Sequence, residues 1–228
     1  LKNVANDTAA NPTYTTCPRK AEANGVYTVK IPGHQESFEV LCDAELAGYG
    51  WTVIARRTNS SLNFFTNWRE YKEGFGNLSG DFFIGLNKLH AITKSEVHEL
   101  YIHLEDFEGE TRYAQYDEFL IESEKQFYAM SSLGKFTGDA GDSLRHQLGM
   151  NFTTYDQDND VINSDNCAIK YMGSWWHNNC TESHLFGLYL DAENEGTFGE
   201  NGMIWKTWRG KNYSYKRMQM MLRPKCVC

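Results

Sequence analysis

Residues 155–180, YDQDNDVINSDNCAIKYMGSWWHNNC, set Asp156, Asp158 and Asp160 at alternate positions ahead of two cysteines, with a tryptophan pair between them. Spaced carboxylates in a carbonyl-rich stretch with no thiolate or imidazole nearby suit a hard cation, calcium above all. A helix-loop-helix calcium loop is excluded. Counted from Asp156, the positions that need glycine and a bidentate glutamate hold Val161 and Cys167. The competing reading is a solvated acidic turn. The tryptophans Trp175 and Trp176 could stack on a sugar, but such a pair more commonly braces its own loop.

Catalytic chemistry finds little footing. Ser143 and His146 stand three apart in a loop, without a strand-turn-helix nucleophile motif or an orienting acid. Carboxylates are plentiful, yet a pair for glycoside hydrolysis is defined by its separation in space. The seven histidines are scattered, and no CxxC pair suggests a zinc ribbon or a redox motif. The expectation is a binding protein, not an enzyme.

Six cysteines, at 17, 42, 167, 180, 226 and 228, leave their pairing open. Six N-x-S/T sequons begin at Asn6, Asn59, Asn77, Asn151, Asn179 and Asn212. Together with an even cysteine count they point to a secreted, extracellular glycoprotein. The net charge of −8 argues against nucleic acid, whose phosphates need a basic face. No run of about 18 apolar residues is present, so no membrane-spanning helix is expected. At 228 residues the chain can bury a large core, and its 14% aromatic content suits a loop-rich body covered by rings.

The elements that must position these residues are legible in the first half. Segments 25–31 and 37–42 read as short strands joined by a Pro-Gly turn, and 51–57 as an apolar strand with a cationic end. Segment 66–76 reads as a short helix closed by glycines, and 81–93 as a strand running into a helical turn. Segments 99–107, 111–122 and 126–132 alternate at hairpin spacing, which indicates antiparallel sheet. After residue 133 periodicity fades and Gly, Asp, Asn and aromatics dominate to the end. That reads as long ordered loops needing a cross-link or an ion.

The runs NGVYTVKI, GYGWTVIARR, NWREYKEGFGNLSGDFFIGLNKLH, AGDSL, NFTTYDQDND, NCAIKYMGSWWHNNC and NGMIWKTWRGKNYSYKRMQMMLRP follow in order and spacing. They resemble a fibrinogen-like C-terminal domain, nearest in pattern to the ficolin and tachylectin lectins, with tenascins and angiopoietins sharing the domain. The resemblance implies an α+β fold: a central twisted antiparallel sheet, short helices and a loop-rich calcium- and ligand-binding region. It assigns 1–14 to a polar linker or stalk remnant, 15–225 to the domain and 226–228 to a Cys-x-Cys tail. It pairs Cys17 with Cys42 and Cys167 with Cys180. Calcium would be the cofactor, held by the Asp158 and Asp160 side chains and by carbonyls near Ile162 and Ser164. The loop is one residue longer than usual, so Asn163 or Asp165 could replace these carbonyls, while Asp156 supports the loop.

The implied ligand pocket lies beside the second bridge. It comprises Tyr171, a cis Asn179–Cys180 bond presenting N–H donors, Thr181 in place of a histidine, Phe198 as an aromatic wall and Lys211 in place of an aromatic. His184 and Phe186 replace two asparagines. The lysine suggests a preference for acidic ligands, such as a sialic acid or a peptide carboxylate, over neutral N-acetyl sugars; the competing expectation is that it swings into solvent and pairs with a surface acid, leaving the pocket neutral. The implied function is a calcium-binding lectin of innate immunity, binding glycans or acetylated and acidic groups. The alternative is a receptor- or matrix-binding domain of the angiopoietin or tenascin kind. A covalent homo-oligomer through Cys226 or Cys228 is the further expectation, against a strained local bridge between them or free thiols.

Overall fold

The computed structural model describes residues 14–190 and 199–226. Its first strands are β1 (Gly25–Val29), β2 (Phe38–Asp43) and β3 (Trp51–Arg57). Helix α1 (Trp68–Glu73) leads through the two short strands β4 (Phe75–Gly76) and β5 (Phe82–Phe83) into α2 (Leu86–Ser95). The hairpin strands β6 (His98–Glu105) and β7 (Thr111–Ile121) follow, then β8 (Met130–Leu133) and β9 (Phe136–Gly138). The second half holds α3 (Cys167–Lys170), β10 (Ser183–His184), β11 (Ile204–Trp205), α4 (Lys206–Arg209) and β12 (Arg217–Pro224). This is an α+β architecture with few and short helices.

The main sheet is antiparallel and runs β1-β2-β3-β12-β6-β7-β8, with β5 also on β3, β4 on β5 and β9 on β7. Helix α1 forms because Asn67 accepts the Glu70 N–H as N-cap and Gly74 ends it at φ 96°. A Cβ at Gly74 would sit 2.5 Å from the Ile84 carbonyl, so this stop doubles as a close backbone approach that only glycine permits. On its inner side α1 presents Tyr71, fully buried, whose hydroxyl donates to the Phe64 carbonyl at 2.6 Å. Phe75, Phe83, Phe152 and Phe186 pack around that ring within 5.0–5.8 Å.

Three sequence expectations need correction. The stretch after 133 does not remain loop to its end, because β12 is a central strand, seated between β3 and β6. Met221 pairs with Val53 on one side and Tyr101 on the other, and Met218, Met220, Met221 and Leu222 are all buried. A strand covered on both faces reads as a continuous apolar run with no alternation, and methionine carries little strand preference, so the period-two pattern is missing. Segment 126–132 becomes strand only from Met130, since Phe127 and Tyr128 turn at positive φ. The helical turn after 83 extends into the ten-residue α2.

Because β12 is flanked on both sides, a cavity cut into it cannot collapse against solvent. Met221→Ala is expected to lower stability by about 2–5 kcal/mol. The check is urea unfolding: the midpoint should fall while the slope stays at the wild-type value.

Candidate functional site

Two disulfides frame the molecule, and they join the pairs that the resemblance implies. Cys17–Cys42 ties the first described residues to β2, with Cα atoms 5.7 Å apart. Cys167–Cys180 bridges α3 to the segment ahead of β10, with Cα atoms 5.5 Å apart. Cys226 is exposed and unpaired, and Cys228 lies outside the described residues.

The acidic loop is strung between these elements by backbone bonds. Asp156 accepts the Trp68 N–H of α1 at 2.9 Å and the Thr154 hydroxyl at 2.7 Å, which makes it a tether between loop and helix. Asp160 accepts the N–H groups of Ile162 at 2.7 Å and Cys167 at 2.9 Å, so its carboxylate folds the loop back onto the start of α3. Asp158 accepts the Asp160 N–H at 3.3 Å. Desolvation raises its carboxyl above the usual range, the Asp160 N–H opposes this, and the Asp160 and Asp165 charges add to the rise. Neither Asp158 nor Asp160 has a lysine or arginine partner among the described residues, whereas Asp165 lies 3.8 Å from Lys170. Two neighbouring carboxylates that repel and lack a protein cation form a donor set that fits calcium. No group of three or more His, Cys, Asp or Glu side chains converges on a metal position among the described residues. A calcium ion here would therefore take its remaining donors from carbonyls such as those of Ile162 and Ser164, and from water.

The expected ligand residues are only partly gathered. Tyr171 is half-buried at the end of α3, with the Lys170 ammonium 5.6 Å from its ring centre. Its phenol is shifted upward by desolvation first and then by the charges of Glu200 and Asp165. Asn179 is exposed and its bond to Cys180 is cis. The neighbouring Asn178 is clipped to the 145–147 turn: its side chain donates to the His146 carbonyl at 2.6 Å, and His146 Nε2 meets the Asn178 carbonyl at 2.8 Å. Ser143 instead faces Thr207, at 2.8 Å, so the serine and histidine three apart in sequence serve different contacts. Phe198 lies outside the described residues.

Thr181 departs from expectation, and Lys211 takes the second of its two expected courses. Thr181 is buried, with its hydroxyl turned to the Ser183 carbonyl and to Gln147, so it offers nothing to a ligand. Lys211 does not present a lone ammonium, because Nζ lies 3.4 Å from Glu200 Oε2. The side chain was long enough to reach an acid, and the cost of an unmatched partly buried charge favours that geometry. The tryptophans are bracing: Trp175 and Trp176 are fully buried, and Trp176 Nε1 donates to the Tyr128 carbonyl at 2.8 Å.

Sequence reasoning missed the layer beneath this surface. Arg57 closes β3 and is enclosed, its guanidinium 4.3 Å from the Phe64 ring and donating to the carbonyls of Leu185, at 3.2 Å, and Gly187. His177 and His184 lie with ring centres 5.2 Å apart, both fully buried. His177 Nε2 donates to the Gly173 carbonyl at 3.0 Å. His177 Nδ1 and both His184 nitrogens have no partner within the described residues. Burial pushes His177 down to about 4 and His184 well below its ordinary value, with each other's charge and Arg57 adding to the effect on His184. The signal available was the loss of both family asparagines at SHLFG, which left His184 to fill a buried place.

The family profile described as fibrinogen beta and gamma chains, C-terminal globular domain, matches residues 14–225. Fibrinogen C domain-containing protein 1 of Mus musculus is 40% identical over 206 residues, covering 88% of this chain and 44% of that protein. Its counterpart in Xenopus tropicalis is 38% identical over 228 residues, covering 98% and 49%. The chain thus spans about half the length of these relatives. Among solved structures, the fibrinogen-like globe domain of human ANGPTL2 superimposes with a TM-score of 0.89 at 36% identity, covering 93% of this chain and all of that one. Lamprey fibrin D-dimer, complexed with the peptide Gly-His-Arg-Pro-amide, gives 0.85 at 31% identity, covering 95% and 75%.

The histidine pair sets a pH dependence. Both rings are neutral when folded, while in the unfolded chain they take up protons below about 6.5. Stability from this pair is therefore full above that value and is lost as pH falls toward 4. For His177, a drop from 6.5 to about 4 corresponds to a loss of about 3 kcal/mol at most. Thermal melts across this range should show a steeper acid decline for wild type than for His184→Asn.

Proposed function

The chain belongs to the family of fibrinogen C-terminal globular domains, and from that premise we propose that it recognises a protein or peptide partner outside the cell, as receptor- and matrix-binding members do. The domain is a recognition module. The finer reading rests on the rim around Tyr171. The charges of Glu200 and Asp165 reach that ring through space, and Lys211 and Lys170 match them only through pairs at 3.4 and 3.8 Å. Such exposed pairs contribute about 0–1 kcal/mol each, so a ligand that brings its own cation can replace a lysine at small cost. A peptide amino terminus or basic side chain has that chemistry. The complex of lamprey fibrin with Gly-His-Arg-Pro-amide supports the same class of ligand. The acidic net charge of −8 favours the approach of such a partner. An acidic glycan would instead have to replace Glu200 at the Lys211 ammonium, 3.4 Å away.

Calcium, in this proposal, orders the loop that carries the rim. It would rest on Asp158 and Asp160 and relieve their mutual repulsion. The exposed Asn179 next to the second disulfide adds backbone groups for an extended peptide to bond. The exposed sequons and the two disulfides suit an oxidising, extracellular setting.

The reading is tested by the melting temperature of the calcium-saturated chain, because a ligand specific to the native state must raise it. Gly-His-Arg-Pro-amide is expected to raise it, with the shift reduced in Glu200→Gln. N-acetylglucosamine and N-acetylneuraminic acid are expected to leave it unchanged. A shift with either sugar and none with peptide would return the lectin reading to first place. In the same assay a chelator should lower the wild-type value and leave Asp158→Ala unmoved; equal responses would remove calcium from the account.

A further inference from the structure

The five sequons within the described residues differ in what the fold does with their third residue. Thr153, Thr181 and Ser214, which complete the sequons of Asn151, Asn179 and Asn212, are all buried. Each hydroxyl is engaged: Thr153 accepts the Asn159 N–H, Thr181 faces the Ser183 carbonyl, and Ser214 accepts the Met203 N–H. The Asn151 amide is also in use, donating to the Asn159 carbonyl at 3.3 Å. These three sequons close as their segments fold. Ser61 and Ser79, which complete the sequons of Asn59 and Asn77, stay exposed.

Between those two, the side-chain amide decides. Asn59 Nδ2 donates to the Thr58 hydroxyl at 3.2 Å. Asn77 is exposed, and its Oδ1 accepts both the N–H of Ser79, at 2.9 Å, and the Ser79 hydroxyl, at 2.8 Å. Its Nδ2 has no partner within the described residues and is free to face solvent. With its oxygen held by Ser79, the amide leaves its nitrogen as the open end. Asn77 also begins the tip between β4 and β5, held there by the Asn77 N–H to the Asp81 carbonyl at 3.0 Å.

We propose that Asn77 is an N-glycosylation site and that its glycan shields the open edge of the sheet at β4. In the transfer, Asn77 Nδ2 bonds to the anomeric carbon of a lipid-pyrophosphate-linked oligosaccharide. The bond from that carbon to the pyrophosphate oxygen breaks, the lipid pyrophosphate leaves with its electron pair, and one amide proton is lost. No oxidant or reductant takes part. The edge is a place that gains from cover. β4 pairs only with β5, and beside it lies a hollow of about 240 Å³ that includes Phe75, Leu78, Phe82 and Phe83. β4 is only two residues long, so the apolar hollow beside it, more than the strand edge, is what another chain could cover. A glycan rooted one residue beyond β4 would block that approach without touching the Tyr171 rim.

The test secretes the whole 228-residue chain from cultured animal cells and maps its peptides before and after amidase removal of N-glycans. The proposal expects the peptide holding Asn77 to carry glycan and to yield aspartate at 77 after removal. Asn77→Gln and Ser79→Ala should each lose one glycan's mass. Recovery of that peptide with unmodified asparagine overturns the site, and this reading needs no variant to fold. Sedimentation then addresses the shielding role: enzymatically deglycosylated wild type should self-associate more than the glycosylated protein. Equal association of the two forms would overturn that part.

Discussion

A single enclosed guanidinium ties the loop half of this molecule to its sheet. Arg57 ends β3, where strand alternation turns Arg56 outward to the carbonyls of Leu78 and Gly80 and Arg57 inward. Inside, it has no carboxylate partner among the described residues. It is satisfied instead by the Leu185 and Gly187 carbonyls and by the face of Phe64. Burial lowers its pKa to about 10, so it remains charged at neutral pH. A charge so placed is costly unless its bonds are made, and removing its partners would expose the full penalty of several kcal/mol. The carbonyls it holds can reach it only because the 185–187 chain lies flat against its neighbours. A Cβ on Gly187 would stand 2.3 Å from the Gly202 carbonyl. The sheet thus fixes the loop at its base, and the loop carries the rim at its top.

The remaining loop contacts follow from that anchor. Phe186, between the two held carbonyls, packs on Tyr71, Phe83 and Trp175, which links α1, β5 and the segment before the second disulfide. Trp176 continues the chain of rings to Phe119 of β7. The proposed partner surface is therefore made of irregular backbone, yet it stands on rings that reach α1, β5 and β7. Rigid support beneath polar, carbonyl-rich loops is the arrangement expected of a recognition surface. The neutral histidines lie in the same layer, so acid would loosen this support.

What the sequence disclosed and withheld divides along physical lines. Strands with one exposed face, such as those at 25–31 and 111–122, announced themselves by alternation, and α1 by its cap and closing glycine. β12 did not, because a strand enclosed on both faces has no alternation to read. The acidic loop was legible from three spaced aspartates, with Asp156 already set apart as its support, and the structure adds that the group it holds is the Trp68 N–H. Thr181 and Lys211 show the limit most clearly. Their residue types suggested a hydroxyl and an ammonium on a pocket wall, but side-chain direction was set by Gln147 and Glu200, which are distant in sequence. Arg57 was hidden for the converse reason: a cationic strand end reads as solvent-facing until the loop that covers it is known.

If Arg57 is the anchor, the loops of the second half are held as a unit by it and should loosen together without it. Hydrogen exchange of the amides, followed by mass spectrometry in wild type and Arg57→Leu, measures this directly. The account predicts faster exchange at 173–190 and 199–215 in the variant, with the β6 and β7 amides at 98–121 protected as in wild type. Exchange that is unchanged in the loops, or that rises equally across loops and sheet, would contradict it.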